Sequence, residues 1–209
     1  MNLILVRHGE TRYNLEGRAI GLNPLGLDAR GRLQALRTAE ALTSLAPVVL
    51  YTSPLPRALE TTTIISQRLG LEVCPRDNLK EANLGLLDGL TREEMWQQYP
   101  DFMRSWSDDA STAVMPGGES ILQVQERAWD TVEEIKSIHP EENVAVVSHT
   151  FTILALVCKL LGMPLSNFQR LHLDLASITQ VRIRQERVTM VRYNDQCHLE
   201  GLEEDGARD

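Results

Sequence analysis

Leu3, Ile4, Leu5 and Val6 run without a polar gap just after the N-terminus, and an apolar run of this kind reads as a strand buried on both faces. Similar runs cover Val48 to Tyr51 and Val144 to Val147, and a short strand is expected around Leu71 to Cys74. Between them the period becomes helical. Asp28 is placed to cap a helix through about Thr43, with Leu33, Leu36, Ala39 and Leu42 on its buried side. A second helix is expected from about Pro56 to Leu69. Ser120 caps a third, which carries Ile121, Val124, Ala128, Val132 and Ile135 at helical spacing, and Phe151 to Leu161 forms another. After Gly162-Met163-Pro164 the period falls to two, through Leu171, Leu173 and Leu175, then Ile178 to Ile183 and Val188 to Tyr193. The last pair reads as a hairpin around Gln185-Glu186. Strands alternating with helices predict an α/β fold on a parallel sheet.

One stretch is irregular. Between about 82 and 120 lie Leu86, Leu87, Met95, Trp96, Tyr99, Phe102, Met103, Trp106 and Met115, with a Thr91-x-x-Glu94 capping box opening a short helix. No repeat or low-complexity linker divides residues 1–202, so one domain is expected. The charged segment 203–209 is expected to fray.

Composition narrows the class of protein. A chain of 209 residues with 43% hydrophobic content can bury one substantial core without disulfides or metal. Three widely spaced cysteines and a first strand that starts at once, leaving no room for a signal peptide, predict a cytoplasmic location. No apolar run approaches the ~20 residues needed to span a bilayer. The net charge of −8 disfavours nucleic acid or an acidic membrane as partner, and a homodimer is left open. A cationic cleft in such a protein still attracts phosphate, because screening confines opposing surface charge to a Debye length of about 8 Å.

The candidate chemistry clusters at strand ends. Arg7 and His8 follow the first strand directly, and in open α/β sheets the carboxyl ends of strands open onto the ligand crevice. Taken alone, a histidine there is a core residue, a metal ligand, a base or a nucleophile. Arg57 follows the second strand at the start of a helix, and Ser148-His149-Thr150 closes the third. Other phosphate chemistries fail on spacing. Cys74, Cys158 and Cys197 are followed six positions later by Lys80, Pro164 and Glu203 where a cysteine phosphatase needs Arg. There is no Asp-x-Asp, no Gly-x-x-x-x-Gly-Lys loop and no Gly-x-Ser-x-Gly elbow. No metal-ligand spacing is visible, so neither metal nor other cofactor is expected, and His139, His172 and His198 are expected to cap, pack or face solvent.

The ordered set resembles the histidine phosphatase (phosphoglycerate mutase-like) superfamily, in particular its alpha-ribazole phosphatase and broad-specificity phosphatase group. Arg7-His8-Gly9-Glu10-Thr11, Asn14 with Gly17-Arg18, Gly31 with Gln34-Ala35, Pro116-Gly117-Gly118-Glu119-Ser120 with Arg127, Ser148-His149, and Asn194-Asp195 with His198-Leu199 carry the likeness across nearly the whole chain. It implies a three-layer α/β/α fold with a mostly parallel central sheet, one C-terminal antiparallel hairpin and a helical lid insertion at about 82–120. It also implies hydrolysis of a small-molecule phosphomonoester through a phosphohistidine on His8. Arg7 and Arg57 then supply forked donors to the phosphate, and His149 contacts the phosphoryl oxygens. Asn14 and Thr150 join the phosphate site, with the N-terminal amides of the helix after His149 adding positive charge. Glu81, alone a solvated loop acid, becomes the proton donor and acceptor because Leu79, Gly85 and Gly89 match the family block around it.

Departures bear on the substrate. Ile20-Gly21, Pro24, Gly26-Leu27-Asp28 and Leu87-Asp88-Gly89 replace the family's usual residues, and Thr150 stands where Gly is common. From Ala82 to Ser120 the only cations are Arg92 and Arg104, which favours a monophosphate with an apolar or neutral body over a second anionic group. A phosphoglycerate mutase and a noncatalytic phospho-ligand sensor are the alternatives.

Overall fold

The computed structural model describes residues 1–185 and 187–202; Glu186 at the expected hairpin tip and the segment 203–209 lie outside the described residues. The elements run β1 (Asn2–Arg7), α1 (Arg12–Leu15), α2 (Ala29–Leu45), β2 (Val49–Thr52), α3 (Pro56–Leu69), β3 (Val73–Pro75), α4 (Arg92–Gln98), α5 (Pro100–Asp109), α6 (Ile121–Ile138), β4 (Asn143–Ser148), α7 (Thr150–Leu161), β5 (Ile178–Arg184) and β6 (Arg187–Asp195). Short 3-10 turns at Asp77–Leu79, Gly85–Leu87, Leu165–Arg170 and Cys197–Leu199 join some of them.

The sheet order is β3-β2-β4-β1-β5-β6. The first four strands in that order are parallel, β5 runs antiparallel to β1, and β6 antiparallel to β5. The gapless apolar runs follow from this layering. Leu3, Leu5, Tyr51, Val144 and Val146 belong to one core cluster with α6 and α7, while Ile4, Val6, Leu50, Ala145 and Val147 join Ala39, Leu42, Ala58 and Ile65 on the other face. Alternate residues of one strand thus enter opposite layers, and all must be apolar. Helix α6 matches its pattern: Ile121, Val124, Ala128, Val132 and Ile135 are fully buried, and Ser120 caps by accepting from the Gln123 amide. Each large aliphatic side chain so buried contributes on the order of 1.5–3 kcal/mol.

Two expectations are corrected. Leu33 and Leu36 of α2 are 44% and 48% exposed, and the buried face is instead Gly31, Gln34, Ala35, Thr38, Ala39 and Leu42. The reason is close backbone approach: a Cβ at Gly31 would lie 2.1 Å from the Glu10 carbonyl oxygen. Residues 171–175 form no strand, although Leu173 is buried; their spacing follows a 3-10 turn and an irregular link into β5.

The insertion at 82–120 carries α4 and α5. Thr91 and Glu94 form the expected capping box at the start of α4. Phe102 and Trp106 of α5 pack on each other, and Trp106 meets Phe151 of α7 and Phe168 edge-on at 5.7 and 6.0 Å between ring centroids. This aromatic cluster fixes the insertion to the body.

Candidate active site

Strand register brings the site together. Arg7 pairs with Ser148 and Thr52 with Val147, so His8, Ser53 and His149 leave three neighbouring parallel strands at one level. Gly9 lets the chain turn tightly: a Cβ there would sit 2.5 Å from the Gly31 carbonyl oxygen.

His8 is 3% exposed. Its Nδ1 lies 2.7 Å from the Gly9 carbonyl oxygen, which can only accept, so in the neutral ring Nδ1 carries the proton. Nε2 keeps its lone pair and accepts from Arg57 Nε at 3.2 Å. Burial first, then the positive charges of Arg57 and Arg7, push the His8 pKa well below the usual histidine range. The ring is therefore neutral near neutral pH, with a lone pair on Nε2.

Both arginines are deeply placed. Burial lowers each pKa to about 10, opposed by Glu81 and Asp174 for Arg7 and by Glu81 and Asp88 for Arg57. They remain charged near neutrality. Arg7 donates to the Leu173 carbonyl at 2.7 Å, and its Nε has no partner among the described residues. Arg57 donates to the Gly21 and Asn23 carbonyls at 2.8 and 3.1 Å.

His149 is fully buried, 5.1 Å from the His8 ring between centroids. Its Nε2 lies 2.7 Å from Ser53 Oγ, and its Nδ1 has no partner among the described residues. Burial, followed by Arg57, His8 and Arg7, holds its pKa well below the histidine range. Ser53, which also accepts from the Leu55 amide, is a contact that the sequence reading did not assign.

Glu81 is 4% exposed and sits on the N-terminus of α7. Its carboxylate accepts from the Ala82, Phe151 and Thr152 amides at 3.0, 3.2 and 3.3 Å. This corrects one expectation. Two of the amides at the start of α7 serve Glu81 rather than a phosphate, while Thr150 and Phe151 are the α7 residues that line the phosphate-sized cavity.

That cavity, about 190 Å³, has Arg7, His8, Asn14, Glu81 and Thr150 on its wall. Arg57 and His149 are not on the wall; they lie behind it, against His8. Asn14 Oδ1 is engaged by the Thr11 amide and hydroxyl, which leaves its amide nitrogen as the free donor end. A second cavity of about 470 Å³, lined largely by Leu84, Leu87, Met95, Phe102, Trp106, Met115 and Phe151, lies under the lid. Ala19, Leu84 and Phe151 line both, so the two spaces adjoin. Arg127, in sequence only part of a motif, has a structural role. It donates to the carbonyls of Asn78, Lys80 and Glu81 and pairs with Glu119, clamping the segment that carries Glu81. His139, His172 and His198 lie away from both cavities, contacting Glu142, Asp174 and Thr38. Among the described residues no group of three or more His, Cys, Asp or Glu is arranged to hold a metal ion.

The histidine pair makes stability depend on pH. An unfolded histidine titrates near 6.5. As pH falls below that value the unfolded chain binds protons that the neutral native rings do not, so stability drops with falling pH. Each ring adds a slope of about 1.4 kcal/mol per pH unit between the two pKa values. Urea unfolding from pH 6.5 to 5.5 should show stability falling with a slope that grows from about half of this value toward all of it as the unfolded rings take up their protons, and His8→Asn should remove about half of the pair's share. An unchanged slope in the variant would mean that His8 titrates alike folded and unfolded.

The histidine phosphatase superfamily (branch 1) model matches residues 3–196, and the chain belongs to that family. Phosphoserine phosphatase 1 of Hydrogenobacter thermophilus is 36% identical over 199 residues, 95% of this chain and 94% of that protein. Among solved structures, Bacillus stearothermophilus YhfR superposes with a TM-score of 0.90 at 28% identity, covering 95% of this chain and 99% of that one. A putative alpha-ribazole-5'-P phosphatase from Escherichia coli K-12 gives 0.86 at 26% identity, covering 93% and 96%. The chain is a phosphatase of small phosphomonoesters, built on a mostly parallel six-stranded sheet with an antiparallel C-terminal pair. Among the described residues no helix is long and apolar enough to cross a membrane.

Proposed function

We propose that the chain hydrolyses the monophosphate of an apolar, aryl or alkyl, alcohol in two displacements. His8 Nε2 attacks phosphorus, the bond to the ester oxygen breaks, and Glu81 protonates the departing alcohol. Water then attacks the phosphohistidine, giving its proton to Glu81, and the P–N bond breaks to release phosphate and neutral His8. Arg7, Arg57, Asn14, His149 and the Thr150 amide stabilise the charge on the phosphoryl oxygens. The unpartnered Arg7 Nε and His149 Nδ1 support these roles, since a buried polar atom without a partner is unfavourable until a ligand meets it.

The single observation that carries the reading is the neutral His8 with its Nε2 lone pair turned to Arg57, next to a phosphate-sized cavity that opens into the apolar one under the lid. Of the lid's two arginines only Arg92 lines that second cavity, and Arg104 is paired with Asp101. This disfavours a mutase, which must seat a carboxylate and a second phosphate. The free cysteines Cys74, Cys158 and Cys197 support work in a reducing cytoplasm.

A substrate panel tests the proposal. Naphthyl and phenyl phosphates should exceed phosphoserine and 3-phosphoglycerate in kcat/KM by about 10-fold or more, given about 0.8 kcal/mol per buried methylene equivalent. Activity should persist in EDTA. A preference for phosphoserine would remove the apolar-body reading and leave the two displacements standing. Interconversion of 2- and 3-phosphoglycerate would replace hydrolysis with a mutase.

A further inference from the structure

We infer that Asp88, at the root of the lid, is a positioning residue that sets the Arg57 guanidinium on His8 through the loop at residues 21–23. The links are direct. Asp88 Oδ1 and Oδ2 accept from the Gly21 and Asn23 amides, each at 3.0 Å. The carbonyls of the same two residues accept from the two terminal nitrogens of Arg57 at 2.8 and 3.1 Å. Arg57 in turn presents Nε to His8 Nε2 at 3.2 Å. One carboxylate therefore holds the amides of the same two residues whose carbonyls take the guanidinium fork, and a fork held at two points has little freedom to rotate.

The loop between them is wedged in place. A Cβ at Gly21 would lie 2.9 Å from Leu84 Cγ and 3.0 Å from the Ala82 carbonyl, so the loop backbone rests on the segment that follows Glu81. Beside Asp88, backbone bonds tie Gly89 to Ala19 and Ala19 to Leu90 at 2.9 Å. These bonds do not involve the Asp88 side chain and keep the loop attached when it is removed. What the carboxylate adds is the setting of residues 21 and 23, together with a negative charge that favours charged Arg57. Asp88 itself is poorly placed to be a proton donor, because it does not line the phosphate cavity that Glu81 lines.

The inference rests on Arg57 as a phosphate donor, and a double-mutant cycle separates the two ideas. With p-nitrophenyl phosphate, Arg57→Ala should lower kcat/KM by about 100-fold and Asp88→Ala by about 10-fold, with the Ki of inorganic phosphate rising in both. In the Arg57→Ala background, Asp88→Ala should change kcat/KM by less than about 3-fold. Its effect should also be equal for phenyl and p-nitrophenyl phosphate, as expected of a group that acts on the anion and not on the leaving oxygen. If the two losses multiply, or the Asp88→Ala loss is larger for phenyl phosphate, the inference is wrong. If Arg57→Ala costs nothing, the reading of Arg57 fails instead. Should Asp88→Ala not fold, Asp88→Asn carries the same cycle, since an amide nitrogen cannot accept from both peptides.

Discussion

The His8→Ala enzyme is expected to lose kcat on the order of 10⁴-fold or more, and wild-type enzyme quenched during turnover to carry phosphate on His8. The adduct should be acid-labile and base-stable. Its position on the ring also follows from the structure. Nδ1 is tied by its proton to the Gly9 carbonyl and Nε2 carries the lone pair, which Arg57 Nε must yield to phosphorus, so phosphorus should appear on Nε2, which phosphorus NMR distinguishes from the other isomer. His149 is the rival nucleophile. It lies off the wall of the phosphate cavity, which His8 lines. Recovery of the label on His149, with His8→Ala turning over normally, would reverse the two roles.

How far such a site is legible in the chain depends on whether a residue acts through its neighbours in sequence or through partners far away. His8, Arg57 and His149 were readable because each directly follows a strand or opens the next helix, and strand runs covered on both faces stand out as gapless apolar stretches. Helix α6 was readable for the same reason, its core face being made of large aliphatic residues. Helix α2 was not. Its buried face is Gly, Ala, Thr and Gln because backbone must approach backbone there, and Gln34 uses its side-chain oxygen to hold the Glu10 amide at 2.8 Å. Of the expected face, Ala39 and Leu42 are buried, while Leu33 and Leu36 turn to solvent. The partners of Glu81 escaped notice for another reason. Its contacts at Phe151 and Thr152 are 70 and 71 residues away, and a loop carboxylate gives no local sign that it will cap a distant helix. Asp88 likewise looks like a solvated turn residue until the loop at 21–23 is folded against it.

Glu81→Gln should separate two kinds of substrate. An alkyl phosphate must leave as an alcohol, so without an acid its hydrolysis is expected to fall by about 10²- to 10⁴-fold. p-Nitrophenolate departs without a proton, and phosphorylation of His8 by the aryl ester should slow by less than about 10-fold in a single turnover. Dephosphorylation still requires a base for water, so the variant should accumulate phosphohistidine with the aryl substrate while its steady-state rate is low. The substitution is nearly isosteric, but it also places an amide nitrogen among the Ala82, Phe151 and Thr152 donors, where only acceptors fit. Thermal unfolding must therefore be measured beside the kinetics, so that a loosened start of α7 is told apart from a missing proton. Two other lid carboxylates are the natural substitutes, and neither lines the phosphate cavity. Asp88 holds the Gly21 and Asn23 amides, while Glu119 is bound by the Arg127 guanidinium at 2.9 and 3.1 Å and by the Asn83 amide at 2.8 Å. Equal single-turnover losses for alkyl and aryl esters would therefore count against Glu81 as the acid without promoting either neighbour, and would point to a proton delivered from solvent.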